Sequence, residues 1–287
     1  MKTYLDCFPC FVRQALATAR LSTDDLNKQK EVINRVMDIL KTFNHDSPPP
    51  AIARKVYKEI KKITGVYDPY SEIRKRDNEN MLKIYRNLRS IILMDKFSLF
   101  TAARLAAGGN LIDCGVGKNK EVDDIKGVEE LLDRMPAIND FLDLKRELRN
   151  SRTVLYLGDN AGEAVLDKLL IEFMKKEFPN LNIIYATRGE PVINDVTIED
   201  AKYIGMDEVC DVISNGDCSP GTILDFCSKE FLQIFDSADL IIAKGQGNYE
   251  SLSEIKKKNI YFLLLAKCPV IAYDLGVEVG SMVIKKG

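Results

Sequence analysis

The chain has 287 residues, of which 46% are apolar and 29% are charged, and its formal net charge is −2. It is longer than a usual single domain and apolar enough to bury a large core, so we expect two domains. No apolar run is long enough to cross a bilayer, and residues 1–11 lack the apolar stretch of a signal peptide. Basic residues are not interleaved with aromatic ones, which argues against a nucleic-acid partner. We therefore expect a cytoplasmic protein without a membrane or nucleic-acid partner, and no pattern indicates its oligomeric state.

Residues 1–150 are predicted to form a helical domain. Apolar residues recur there at spacings of three and four, the period of an amphipathic helix. The predicted helices are Val12–Ala19, Lys28–Phe43, Ala51–Thr64, Glu72–Phe97, Leu99–Ala107 and Val128–Asn150. Prolines 48–50 separate the second helix from the third, and Gly65 is a natural residue to end the third.

A cysteine pair, Cys7 and Cys10, precedes the first predicted helix. With Cys268 it could form part of a zinc site, but a structural zinc usually needs four nitrogen or sulfur ligands. His45 is the only histidine in the chain, which also argues against a histidine-dependent catalytic triad. We favour a buried or redox-sensitive pair over a zinc site.

From Val154 onwards, short apolar runs alternate with helical patterns. The runs are 153–157, 182–186, 209–213, 239–243 and 260–265, and residues 281–284 predict a short final strand. This alternation predicts an α/β fold: a three-layer α/β/α domain over residues 151–287, with a mostly parallel, Rossmann-like sheet. Ligands of such sheets bind beyond the carboxyl ends of the strands, so the residues that follow each run are the candidates for function.

The first run is followed by Asp159 and Asn160, and Asp195 lies 36 residues further on, about one β-α-β step away. Carboxylate and amide oxygens are the ligands that Mg²⁺ and Mn²⁺ prefer, so we expect these three side chains to bind one divalent cation. The alternative is that they only cap a helix or shape a turn, because Asp and Asn are favoured at both places.

The third and fourth runs are followed by polar, glycine-containing loops. Ser214, Asn215 and Gly216 follow one of them, and Lys244 and Gly245 end the other. Small residues expose backbone N–H groups to an anion, and the lysine would place an ammonium at the same edge. Neither loop is a dinucleotide fingerprint or a Walker A sequence. One cation site and two anion-binding loops on one edge predict a phosphate ester held on a metal.

Eight stretches of the chain, in order and over nearly its whole length, resemble the metal-dependent damage-control phosphatases. This family was long described as a domain of unknown function, and its eukaryotic members also as acidic-residue methyltransferases. The stretches are CFPCFVRQAL at 7–16, TGVYDPY at 64–70, AARLAAGGNLID at 102–113, GDNAGE at 158–163, RGEPVINDVT at 188–197, SNGDCSPGT at 214–222, KGQGNYE at 244–250 and AKCP at 266–269. The cysteine pair resembles that of the small prokaryotic branch.

The resemblance implies a helical N-terminal domain on an α/β/α domain, with a divalent cation on Asp159, Asn160 and Asp195 and a phosphate-binding lysine at Lys244. It leaves the substrate open. Mg²⁺ or Mn²⁺ is the expected cation, and other transition metals are alternatives.

Our first hypothesis is a metal-dependent phosphatase of small phosphorylated metabolites, in which Asp159 is either a ligand or a covalent nucleophile. The substrate contacts would come from Asn110, Asp113, Arg188, Lys244 and the loop residues named above. Two alternatives stay open: a non-catalytic binder of phosphorylated ligands, and an S-adenosylmethionine-dependent carboxyl methyltransferase. The methyltransferase leaves the Asp-Asn pair unexplained, and residues 157–162 lack the G-x-G core of its cofactor loop.

Overall fold

The computed structural model describes residues 1–109, 131–256 and 258–287. Its first helices are α1 (Cys7–Ser22), α2 (Leu26–Thr42), α3 (Pro49–Thr64), α4 (Ser71–Met94) and α5 (Ser98–Gly108). They correspond to the first five predicted helices, and Gly65 ends α3 with a φ of 76°. Within the described residues, no helix combines the length and the apolar character that crossing a membrane requires.

The sheet and its helices follow. The strands are β1 (Ile138–Asn139), β2 (Thr153–Leu157), β3 (Asn182–Thr187), β4 (Asp211–Ser214), β5 (Leu240–Lys244), β6 (Ile260–Leu265) and β7 (Met282–Lys286). The helices are α6 (Phe141–Asn150), α7 (Glu163–Glu177), α8 (Ile198–Tyr203), α9 (Lys229–Ser237), α10 (Gly245–Leu252) and α11 (Pro269–Leu275). Thr197 and Asp200 form a capping box at the start of α8.

The strands form one sheet in the order β1-β7-β6-β5-β2-β3-β4. Every pair is parallel except β6 with β7, so the predicted mostly parallel sheet is confirmed. Side chains alternate between the two faces: Val154 and Tyr156 belong to one core, and Leu155 and Leu157 belong to the other. The carboxyl ends of β2, β3, β5 and β6 therefore meet at one edge, where the candidate residues lie.

The sixth predicted helix, Val128–Asn150, is wrong over part of its length. Residues 138–139 form β1, which pairs in parallel with β7, and the helix α6 begins only at Phe141. Pro136 explains the break, because proline lacks an N–H donor and pushes the residue before it out of the helical region. The part of this prediction over residues 128–130 lies outside the described residues.

The packing distinguishes two groups of helices among the first five. Helices α1, α2 and α3 share a core built on Phe11, Val36 and Ile52, to which Val192 of the loop after β3 also belongs. Helices α4 and α5 instead contribute to the core that covers one face of the sheet. The boundary near residue 150 stays a prediction, and this packing offers an alternative near residue 70.

Candidate active site

The turn after β2 and the loop after β3 are joined by backbone hydrogen bonds. Asn160 and Asp195 form an isolated antiparallel bridge, and Val196 N donates to Asp159 O at 2.8 Å. The side chains of Asp159, Asn160 and Asp195 line the same cleft. The N-cap of α7 is Gly162, without a side-chain capping bond, so the Asp-Asn pair does not cap that helix. The structure thus brings the three predicted ligands together, and their binding of a cation stays a prediction.

Arg188 lies beside the two carboxylates. Its Nε is 2.6 Å from Asp195 Oδ2, and its Nη2 is 3.7 Å from Asp159 Oδ1. Burial raises the pKa of Asp159, and it raises the pKa of Asp195 to about 7. The positive charge of Arg188 opposes both shifts. The negative charge of Asp159 raises the pKa of Asp195 further. Two buried carboxylates beside one guanidinium are incompletely neutralised, so a further cation would favour their ionised forms.

The cleft has a volume of about 360 Å³, within the range of pockets for small molecules. It is lined by the strand edge that carries the three candidate ligands and by residues of helices α1, α3 and α4. The other lining residues include Cys7, Cys10, Phe11, Gln14, Ala53, Asp77, Gln246, Glu250, Lys267 and Cys268. The cleft is therefore built jointly by the first helices and the sheet.

Lys267 is a residue that sequence reasoning missed. It stands two residues beyond the end of β6, is exposed, and lines the cleft. Its positive charge lowers the pKa of both Asp159 and Asp195, against the effect of their burial. The rule that found the other candidates, a polar residue beyond the end of a parallel strand, would also have found this lysine.

Lys244 has a different environment from the one expected of a phosphate contact. Its side chain is 1% exposed, its Nζ donates to Asp167 Oδ1 at 2.7 Å, and Glu163 Oε2 lies 3.8 Å away. Lys244 is not among the residues that line the described part of the cleft. A direct contact with a phosphoryl group stays a prediction, and in this structure the ammonium is directed at carboxylates behind the cleft wall.

Gly245 follows Lys244 with a φ of 75° and lies against Asp159. A Cβ atom at this position would be 1.9 Å from Asp159 Oδ2, so only glycine allows the start of α10 to approach the carboxylate so closely.

The loop after β4 does not lead directly into an α-helix, because α9 begins only at Lys229. Its amides are occupied within the loop: Gly216 N donates to Ser214 Oγ, and Asp217 N donates to Asn215 Oδ1. Ser214, Asn215 and Gly216 do not line the cleft, so their contact with an anion stays a prediction. Asn110 and Asp113, predicted to contact the substrate, lie outside the described residues.

Three cysteines, Cys7, Cys10 and Cys268, line the cleft as free thiols. Partial burial raises the pKa of Cys7 to about 11 and also raises that of Cys10, so both are protonated near neutral pH. Across residues 1–109, 131–256 and 258–287, no group of three or more His, Cys, Asp and Glu side chains is arranged to hold a metal ion. The zinc interpretation gains no support from this geometry, and a redox role stays a prediction.

The fold and the cleft define an α/β/α protein with its site at the carboxyl ends of parallel strands, in the general position of ligand sites in such sheets. A family model described as the damage-control phosphatase ARMT1-like domain matches residues 3–283. The chain belongs to this family of phosphatases, as the sequence resemblance predicted.

Two named relatives cover nearly the whole chain. A damage-control phosphatase of Pyrococcus horikoshii is 35% identical over 284 residues, 99% of this chain and 97% of that protein. A damage-control phosphatase of Archaeoglobus fulgidus is 35% identical over 289 residues, 97% of each. The crystal structure of a DUF89 family protein from P. horikoshii superimposes with a TM-score of 0.90 at 34% identity, covering 100% of this chain and 99% of that one.

Proposed function

We propose that the chain is a divalent-cation-dependent phosphatase that hydrolyses phosphomonoesters of small metabolites. The observation that carries this proposal is that two buried carboxylates and one amide line the same cleft as Lys267. Such a site offers oxygen ligands to a cation and a positive charge to a phosphoryl group. The named activity of the two relatives and the general metal dependence of the family support the same function. A cytoplasmic location remains part of the proposal.

Asp159, Asn160 and Asp195 would hold the cation. They supply two carboxylates and an amide oxygen, the hard ligands that suit Mg²⁺ and Mn²⁺ better than softer metals. The raised pKa of Asp195 fits this role, because it results from burial beside a second carboxylate that one arginine only partly neutralises. When bound, the cation would neutralise negative charge on the phosphoryl oxygens as the bond to the leaving oxygen breaks.

The remaining side chains would orient the ligands and the substrate. Arg188 fixes Asp195 through the contact at 2.6 Å and keeps it from turning out of the cleft wall. Lys267 is exposed to the cleft, so its ammonium would contact the phosphoryl oxygens. Asp159 is within reach of both Asn160 and Arg188, and it would serve either as ligand or as nucleophile.

The test is phosphate release from an aryl phosphate, measured with Mg²⁺ or Mn²⁺ and again with a chelator. We expect release only with the cation. Asp195→Asn should reduce it at least a hundredfold, because the variant loses a charged oxygen from the cation site. Asp207→Asn, an exposed aspartate that does not line the cleft, is the matched control and should keep wild-type activity.

Three other results would point elsewhere. Activity that the chelator does not change would refute the dependence on a cation. Binding of S-adenosylmethionine in calorimetry, with no phosphate release from any of a panel of phosphometabolites, would favour the methyltransferase. Tight binding of phosphorylated metabolites without turnover would favour the non-catalytic binder.

A further inference from the structure

The side-chain amide of Asn160 is held in one orientation. Its Nδ2 donates to Glu163 Oε1 at 2.8 Å and lies 3.0 Å from Asp159 Oδ2. Ionised carboxylates only accept hydrogen bonds, so the NH₂ group, and not the oxygen, must face these two partners. Both amide hydrogens then have carboxylate acceptors on the protein side. The proposed cation site uses the Oδ1 atom of Asn160, because Mg²⁺ and Mn²⁺ bind oxygen and not an amide NH₂ group.

Glu163 is buried next to positive charge. It is 4% exposed and is the first residue of α7, where the partial positive charge of a helix N-terminus stabilises an anion. Lys244 Nζ lies 3.8 Å from Glu163 Oε2 and is itself bound to Asp167 at 2.7 Å. Asp167 also accepts hydrogen bonds from two buried tyrosines, Tyr156 and Tyr185, at 2.8 and 3.2 Å. These contacts connect the cleft wall to the core through buried side chains.

We infer that Glu163 is a positioning residue for the cation site, which it serves by fixing the amide of Asn160, and that Lys244 supports it by remaining its counter-ion. The inference rests on the proposed function, because it assigns Asn160 Oδ1 to the cation. If the amide were reversed, its oxygen would face the Glu163 carboxylate and its NH₂ group would face the cation; both contacts are repulsive. Glu163 thus specifies the orientation that can bind a cation and disfavours the one that cannot.

A purely structural role for Glu163 would give a different result from a positioning role. A structural ion pair contributes to the free energy of unfolding, but its removal leaves the cation affinity of the folded protein unchanged. Residues behind the ligands of a metal site change its affinity by about 10- to 100-fold. The discriminating quantity is therefore the dissociation constant for Mn²⁺ of the folded protein without substrate.

The experiment measures Mn²⁺ binding to the full chain by calorimetry and by the electron paramagnetic resonance signal of free Mn²⁺. Glu163→Gln should weaken Mn²⁺ binding by about 10- to 100-fold. Glutamine can offer an NH₂ group to Asn160 Oδ1, so both amide orientations become accessible. Glu172→Gln is the control: it lies on the same helix and contacts Tyr85 and Arg89, outside the cleft, and should bind Mn²⁺ within twofold of wild type. Glu163→Asp keeps the charge but retracts it by one methylene; it should also weaken binding, and it replaces the glutamine variant if that variant does not fold.

The effect should vanish when Asn160 is absent. In an Asn160→Ala background, Glu163→Gln should change Mn²⁺ affinity less than twofold, because its route to the cation has been removed. Equal Mn²⁺ affinity of wild type and the tested Glu163 variant would overturn the inference alone, and so would a full effect in the alanine background. A wild-type protein that binds no Mn²⁺ or Mg²⁺ would overturn the proposed function together with the inference.

Discussion

Lys244 and Lys267 stand at the carboxyl ends of two neighbouring parallel strands, yet they lie in opposite environments. Lys244 is the last residue of β5, is 1% exposed and contacts Asp167, whereas Lys267 lies beyond β6, is exposed and lines the cleft. Their positions relative to the strands explain the difference: Lys244 lies within β5 and continues the series of Leu240 and Ile242, which face the core beneath α7, whereas Lys267 lies two residues beyond the end of β6. A position near a strand end brings a residue to the functional edge, but the last residue of the strand can still turn into the core, whereas a residue beyond the strand can line the cleft.

The largest effect that would test this comparison is on stability. Lys244→Met should lower the free energy of unfolding by about 3–5 kcal/mol, because it leaves Asp167 and Glu163 buried without their counter-ion. Lys267→Met, an exposed position, should change it by less than about 0.5 kcal/mol. Urea denaturation of both variants with the wild type provides the measurement. Equal free energies of unfolding for the two variants would contradict the assignment of Lys244 to the core and Lys267 to the cleft.

The next effect concerns catalysis. Lys267→Met should lower kcat/KM for an aryl phosphate by roughly 10- to 100-fold, since a charge-assisted hydrogen bond to phosphate contributes about 1.5–3 kcal/mol. Mn²⁺ affinity should not fall, because the lysine is not a ligand and its own positive charge acts on the same two carboxylates. Lys202→Met, an exposed lysine on α8 outside the cleft, is the matched control. A kcat/KM within twofold of wild type would remove Lys267 from the substrate site.

The smallest effect concerns Glu250, a half-buried carboxyl group on the cleft wall. Burial raises its pKa from 4.5 to about 7, and the hydrogen bond from Gln246 only partly opposes the shift. A carboxyl group whose pKa is raised in the folded state contributes stability below its unfolded pKa and loses it as pH rises through the folded value. Wild type should therefore lose about 1–2 kcal/mol relative to Glu250→Gln between pH 4.5 and pH 7.5. Denaturation of both proteins at the two pH values measures this difference, and a difference independent of pH would contradict it.

Much of the fold follows from local pattern. Short apolar runs between helical segments predict the strands, and a capping box or a glycine predicts where helices begin and end. The strand β1 was not predicted, because a strand of only two residues is too short to show an apolar periodicity. Its pairing with β7 depends on residues almost 150 positions apart, which no local signal encodes.

Part of the candidate site could also be predicted from the sequence. The order of strands in a parallel sheet brings Asp159 and Asp195 to one edge, and the spacing of a β-α-β step predicts it. Sequence reasoning could not show that Lys244 turns away from that edge, because this depends on which face α7 covers. Asp77 had no signal at all: it lies in the second turn of α4 and reaches the cleft through the packing of that helix.

The bridge between Asn160 and Asp195 has a thermodynamic consequence. The backbones that carry all three candidate ligands are hydrogen-bonded to each other when the sheet forms, so folding, and not ligand binding, restricts their freedom. A cation that binds to such a prearranged set loses little affinity to the ordering of the protein. Its binding should therefore show a small change in heat capacity, unlike sites that fold around their metal.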